Sequence, residues 1–526
     1  MRTKILASVA FLSVLAAPGA AQAFCGFYVA PTDQPLYNDA TMTALMREGT
    51  RTVISMSNNY KGPAADFAMV VPVPVVLQKE NVKTLPLDLF KKLESLSAPR
   101  LVEYWEQDPC YQPKYEEDDK AYGGAPMQPS AAPTESAGKK DYGVKIEAQF
   151  KVGEYEVVVL SAKESDGLES YLIDNKYKIP KGASAALAPY VKEQWKFFVA
   201  KVDMHKVQTD NQGVATLSPL RFHYETQDFR LPVRLGLLNA NGKQDLIMFL
   251  IGKNKRYEVA NYSNAFIPTN LDVNDATRNA FGPFYAALFD ATIVKSGGRS
   301  VVTEYAWETS SCDPCPSPPL EQSDVVTLGG DVLWKQQQEG GYGYGEAQGM
   351  VLTRLHTRYD PSTLSDDIVF KAAEPVVGGR EHVVTNGQIE QGARPDASNN
   401  FQARYVIRHP WTGPVACANP KRGVWGGPPS GVSAPNGGGP IPATNLAAAP
   451  RGTVKISEHV VSGLDDLDSW DRAANQAQQA GFGLGPRRAC GCSVPGTPAS
   501  WGTGFAFGSL FVSVLVARRR ARRSRG

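Results

Sequence analysis

Cys312-Asp313-Pro314-Cys315 is the densest concentration of reactive side chains in this 526-residue sequence. Two cysteines at this spacing can close a small disulfide, carry out thiol–disulfide exchange through a low-pKa leading thiol, or supply half of a zinc site. Exchange chemistry draws on a helix N-terminus to stabilise the thiolate, and Pro316, Pro318 and Pro319 prevent a regular helix from following. Zinc needs two further ligands, and neither a second Cys-x-x-Cys nor a histidine pair stands nearby. Structural bridging is the leading expectation. The sequence has 7 cysteines. Setting aside Cys490 and Cys492 near the C-terminus leaves Cys25, Cys110, Cys312, Cys315 and Cys417 as disulfide candidates, an odd number that requires at least one to stay free or to pair outside the set.

The six histidines are 205, 223, 356, 382, 409 and 459. Arg221 to Thr226 alternates as a strand does, so His223 and Glu225 share a face and are the nearest approach to an acid/base or metal-binding pair; a merely wet strand face is the plainer reading. No HExxH, GxSxG or phosphate-cradling glycine loop occurs. No catalytic, cofactor-binding or metal-binding residue is therefore assigned. Gly340-Gly341-Tyr342-Gly343-Tyr344-Gly345 offers aromatic rings on a glycine-rich loop that suit stacking on a sugar or a partner. Val70 to Val76 reads as a strand confined to an edge or bulge by its prolines, Pro72 and Pro74.

Both ends of the chain suggest export. Arg2 and Lys4, the apolar run Ile5 to Ala17, and Ala21-Gln22-Ala23 form a three-part signal peptide with cleavage after Ala23. At the other end the apolar run Trp501 to Ala517 leads directly into arginines 518, 519, 520, 522, 523 and 525. At 1.5 Å per residue the run spans about 25 Å, near the lower limit for a membrane helix. The arginines would stay cytoplasmic and leave everything N-terminal of the run outside. Without these terminal charges the body carries 47 basic against 53 acidic residues, which disfavours a nucleic-acid partner.

Short β-branched and aromatic runs bounded by Gly, Pro or Asn predict strands at 51–56, 66–75, 144–150, 154–160, 197–204, 221–225, 246–251, 256–262, 301–307, 350–357 and 403–407. Helices are expected at 86–95, 167–175, 183–195 and 284–294. Because the two types do not alternate regularly, the fold class is α+β, mainly antiparallel sheets with a few packed helices. The expected organisation is a signal peptide (1–23), a folded body (24–411) with two subdomains divided near residue 270 and an inserted polar loop at 113–140, a disordered Gly/Pro-rich stalk (412–489), and a cysteine motif, transmembrane segment and arginine tail (490–526). Within the stalk, Asp465 to Ala480 reads as a polar helix that packs on nothing.

Five blocks in order, Cys25-Gly26-Phe27-Tyr28-Val29, Asp66-Phe67-Ala68-Met69-Val70-Val71-Pro72-Val73-Pro74, Trp195 to Val202, Leu217-Ser218-Pro219-Leu220-Arg221-Phe222-His223-Tyr224 and Cys312 to Cys315, make the body resemble the bacterial family of domain of unknown function 2330. That resemblance implies an exported bacterial domain with no established activity. Arg487-Arg488-Ala489-Cys490-Gly491-Cys492-Ser493, followed by the apolar span and the arginines, resembles the MYXO-CTERM sorting signal of myxobacteria. It implies removal of the tail by a sorting protease, lipid attachment at Cys490 or Cys492, and residence on the cell surface; a permanent single-pass anchor is the other reading. The resulting expectation is a surface-anchored, non-catalytic binding or structural module whose partners are the membrane, the export and sorting machinery and an extracellular ligand. The alternative is a tethered hydrolase or a thiol–disulfide oxidoreductase using Cys312 and Cys315.

Overall fold

The sequence Lys196 to Val202 (KFFVAKV) is apolar on both sides of the pleat, and the computed structural model explains why: the strand is covered from above and below. The structure describes residues 27–29, 37–61, 67–110, 143–175, 177, 179–180, 182–209, 215–239, 243–334, 347–381, 384–385, 388–429, 432, 439–444 and 449–479. All of them fall in one compact unit ending at Phe482; Gly483–Gly526 form a second unit that lies outside the described residues. Among the described residues no helix is long and apolar enough to cross a membrane. Ala23, Cys25, Cys490, Cys492, the loop at 113–140, the span at 501–517 and the Gly/Tyr loop at 340–345 also lie outside them.

The strands relevant to the site are, in chain order, β1 (Phe27–Val29), β2 (Tyr37–Glu48), β3 (Arg51–Lys61), β4 (Ala68–Val73), β5 (Val82–Thr84), β6 (Arg100–Glu106), β7 (Val144–Val152), β8 (Tyr155–Ala162), β9 (Lys196–Val202), β10 (Leu220–Glu225), β11 (Gln244–Lys253), β12 (Leu271–Val273), β13 (Ser300–Glu308), β14 (Met350–Tyr359), β15 (Asn400–Gln402), β16 (Arg404–His409), β17 (Trp425–Gly426), β18 (Ile441–Pro442) and β19 (Val460–Ser462). The helices are α1 (Leu87–Ser97), α2 (Ser165–Asp174), α3 (Ala183–Lys192), α4 (Thr277–Lys295) and α5 (Leu467–Gln479). The fold is α+β with mostly antiparallel sheets, as expected.

An antiparallel sheet in the order β1-β4-β9-β8-β7 stacks on a larger central sheet through a core containing Met69, Val71, Val157, Phe198 and Ala200 on one side and Leu45, Ile54, Phe222 and Met248 on the other. Helices α2 and α3 cover its outer face with Leu168, Leu172, Leu187 and Tyr190. The central sheet runs β3-β2-β11-β14-β13-β15, with β10 pairing β3 and β5. Helix α1 closes its other face with Leu89, Phe90, Leu93 and Leu96, the i, i+1, i+4, i+7 set of one helical stripe. Pro72 sits inside β4, a strand with neighbours on both sides, yet β1 pairs only with Ala68 to Val70. The residue without an N–H therefore lies past the end of β1, where no ladder partner is lost.

Two expectations about organisation are overturned. There is no division near residue 270: residues 263–266 pair with β13 in the central sheet, and β12 just beyond pairs with β16. The segment 412–479 is not a stalk. β17 and β18 both pair with β6, β19 pairs with β12, and α5 lays Leu467, Trp470, Ala473 and Ala474 against α4. The low apolar content of 412–479 misleads because the few apolar residues it has are spaced to reach one prepared surface. Asp471 accepts the backbone N–H of Ile456 at 2.6 Å, and Lys295 stands 4.8 Å from the Trp470 ring centre, so the polar residues of α5 are also engaged.

Cys110 and Cys417 form a disulfide across 307 residues, and Cys312 bridges Cys315. The first ties the end of β6 to the 412–427 segment. Because it closes so long a loop, a Cys110→Ser, Cys417→Ser double variant is expected to lose about 2–4 kcal/mol of stability. Urea titration of the oxidised protein and the variant measures it, and equal midpoints would refute the assignment.

Candidate functional site

Strand β10 alternates as its sequence indicates. Leu220, Phe222 and Tyr224 enter the inter-sheet core, while Arg221, His223 and Glu225 project from the other face. That face is not uniformly wet. The segment Gln322–Leu333 crosses its first part, so Arg221 is buried, His223 half-buried and Glu225 exposed. Together with the Val75–Asn81 loop and the start of β3, the segment borders an open cavity of about 650 Å³ lined by Arg51, Val75, Val76, Asn81, His223, Glu225, Asp331, Val332 and Trp334, with Tyr224 behind.

Each ionisable wall has a defined partner. Arg221 grips Asp331 with both terminal nitrogens, at 2.7 and 2.8 Å, and also donates to the Thr327 carbonyl at 2.6 Å. Lys83 reaches the same carboxylate at 2.8 Å. Burial alone would raise the Asp331 carboxyl, but the hydrogen bonds from Arg221 and Lys83 outweigh it and hold the group below its ordinary range. Arg51 donates from Nε and Nη2 to one oxygen of Glu225, at 3.2 and 2.8 Å, and from Nη1 to the Val332 carbonyl at 2.9 Å. A Cβ on Gly330 would fall 2.4 Å from the Trp334 ring, so the indole sits directly against that backbone.

His223 meets the side-chain amide of Asn81 at 3.2 Å through Nε2. Since the Asn81 carbonyl oxygen already accepts the Gln78 N–H at 2.9 Å, its NH2 is what faces the imidazole, and Nε2 must accept. The ring is then neutral with its proton on Nδ1. Partial burial, reinforced by Arg221 and Arg51, pushes His223 below the ordinary imidazole value, in agreement with that tautomer. A group depressed in the folded state stays neutral while the unfolded chain takes up a proton below about pH 6.5, so stability is lost as the pH falls through that value. His223→Gln is expected to remove this acid sensitivity; an unchanged dependence of the urea midpoint between pH 7 and 5 would contradict the tautomer.

The structure thus brings His223 and Glu225 to one cavity but gives them different partners, an amide and a guanidinium. They form neither an acid/base dyad nor a chelating pair. Arg51, Asn81, Asp331 and Trp334 were not legible from the sequence, because three chain segments far apart in sequence contribute them. The Cys312–Cys315 loop stands elsewhere, held by Arg100, which donates to the Pro314 carbonyl at 2.6 Å, and by the Gln402 amide on the Asp313 carbonyl.

A second polar cluster is fully enclosed. His356 lies between Glu304 at 2.7 Å and Asp245 at 3.1 Å, its ring stacked 3.9 Å from that of Phe289. Arg354 and Tyr285 bind Glu304 at 2.6 Å each, and Arg451 joins Asp245 to Asp290 at 3.1 and 2.5 Å. Burial would raise the Glu304 carboxyl, but His356 and Arg354 bring it down to about 2; burial would lower His356, but Glu304 and Asp245 raise it. With side chains no more than 2 % exposed at Asp245, Glu304, Arg354 and His356, this cluster braces the core and offers no substrate access.

The profile of the bacterial family described as "Uncharacterized protein conserved in bacteria (DUF2330)" matches residues 19–371, about two thirds of the chain. The chain belongs to the DUF2330 family. No curated protein and no solved structure matches it. Every described residue lining the cavity falls within the DUF2330 region, whereas β15 to β19 and α5 fall beyond it. Arg451 therefore reaches back from outside the DUF2330 match to two carboxylates inside it.

Proposed function

We propose that this chain is an exported, surface-anchored bacterial envelope protein whose body is a non-catalytic binding module, with the Arg51–His223–Trp334 cavity as its binding site. The observation that carries the proposal is the partnering of the cavity walls. Asp331 is neutralised by two cations, Glu225 by one, and His223 leans on an amide, so among the described residues no nucleophile stands beside a base, while a cleft of ligand size with apolar and polar walls remains. The signal-like N-terminus, the Cys490/Cys492 motif and the apolar run ending in arginines support export and anchoring. The oxidoreductase alternative has less support, because Cys315 leads into a proline-rich stretch with no helix to stabilise a thiolate.

Intact mass of the protein extracted from its native envelope, with and without reduction, tests the anchoring. The expected mass lacks residues 1–23 and the arginine tail, carries lipid at Cys490 or Cys492, and shifts on reduction by two disulfides. A mass extending to Gly526 would overturn surface sorting and leave a permanent membrane span.

A further inference from the structure

The geometry points to a small organic carboxylate as the ligand of this cavity, an inference that rests on the binding-module reading above and specifies its chemistry. Three of the lining residues carry donors that no described protein group uses fully. His223 has its Nδ1–H, Trp334 its indole N–H, and Arg51 the N–H groups left over after Glu225 and Val332 are served. Neither the His223 Nδ1 nor the Trp334 indole nitrogen has a hydrogen-bond acceptor among the described residues. Such a donor-rich surface calls for an acceptor-rich ligand.

The charges agree. Arg51, Lys83 and Arg221 face Glu225 and Asp331, three cations against two carboxylates, so among the described residues the ion-paired groups around the cavity carry one positive charge in excess. His223 adds none in the neutral form that Asn81 enforces. Arg221 and Lys83 are committed to Asp331. The guanidinium that remains available is Arg51, whose side chain is 46 % exposed and whose Nε and Nη2 both converge on one oxygen of Glu225. That is the edge through which a guanidinium takes a carboxylate in two parallel hydrogen bonds, and Glu225 uses only one of its oxygens on it. An exposed ion pair of this kind is worth little, so a second carboxylate can displace Glu225 at small cost while gaining the His223 and Trp334 donors. Val75, Val76 and Val332 supply the apolar wall for a carbon skeleton.

This arrangement makes a prediction of sign. Glu225 competes with the ligand, so Glu225→Gln should tighten carboxylate binding by roughly threefold, the scale of an exposed ion pair. Arg51→Gln should weaken it about tenfold, the scale of a charge-assisted hydrogen bond. The experiment is calorimetric titration of the full chain in detergent with D-glucuronate, with D-glucose as the neutral counterpart of the same ring and with inorganic phosphate. Glucuronate binding that is strengthened in Glu225→Gln, weakened in Arg51→Gln and absent for glucose is the expected result. Equal binding of glucose, weaker glucuronate binding in Glu225→Gln, equal binding of phosphate, or no glucuronate binding would each overturn the carboxylate assignment. Chromatography of the titrated glucuronate separates this from the broader reading: a ligand bound with the expected variant pattern but recovered chemically altered would refute the non-catalytic module and leave the site intact.

Discussion

Arg451→Met is expected to cost about 3 kcal/mol of folding stability, because removing one partner of a buried ion pair leaves the other charge uncompensated. Arg451 is the shared counterion of Asp245 and Asp290, whose side chains are 2 % and 5 % exposed. The carboxylates keep weaker help: Asp245 retains His356 at 3.1 Å, and Asp290 has Arg358 at 3.6 Å. Burial already raises the Asp290 carboxyl, Asp245 adds to it, and Arg451 opposes both. In the variant Asp290 is pushed further up and takes a proton more readily. Its protonation limits the loss at acidic pH, so the deficit should widen as the pH rises. Urea denaturation at pH 5 and 8 measures both effects, and adding Asp290→Asn should recover part of the loss. An arginine on an unpacked stalk would change stability by no more than about 0.5 kcal/mol, so a flat result would restore the stalk reading.

A chain ended at residue 371, where the family match stops, is expected not to fold, whereas one ended at Gln479 keeps its core. The shorter chain loses Val376, Phe401, Ala403, Tyr405, Ile407, Ala443, Ile456, Val460, Ala473 and Ala474 from the cluster around α4. At about 1.5–3 kcal/mol for each of the six large apolar side chains among them, the loss is of the same size as the 5–15 kcal/mol by which domains are stable. It also strips β6 of its parallel partner β16 and exposes Phe284, Leu288 and Phe289 on α4. Near-UV circular dichroism and protease resistance distinguish the outcomes. A cooperative, protease-resistant 1–371 chain would show that the later strands are an accessory layer.

The α+β class and most of the longer strands were legible because β-branched and aromatic runs broken by turn residues are a local signal. Strand β2 was not: Ala40 to Glu48 is rich in Ala, Leu, Met, Arg and Glu, which favour helix, and only sheet neighbours on both sides hold it extended. Helix α4 was legible from Phe284 onward. Its first turns were hidden by Pro283, and the backbone indeed departs from helical geometry at Ala280. The C-terminal segment was misread because composition measures how much apolar surface a stretch carries and not whether a receiving surface exists elsewhere. Of the cavity, His223 and Glu225 were visible by their period-2 spacing. Arg51, Asn81, Asp331 and Trp334 had no signal, since nothing local relates a strand start, a loop and the end of a helical segment.

The pairing of β6 with β16 has a bearing on when the protein becomes whole. Arg100 to Trp105 pairs in parallel with Arg404 to His409, and the other flank of β6 is closed by residues 425–426 and 441–442. A chain that emerges N-terminus first, from a ribosome or through a membrane channel, presents β6 some 300 residues before any of its neighbours exists. Until then the strand is an open edge with Leu101 uncovered, a template for pairing with other chains. Contacts of such long range also make folding slow. Quality control of this protein is therefore concentrated in a waiting period, which ends only when residues 404–442 arrive.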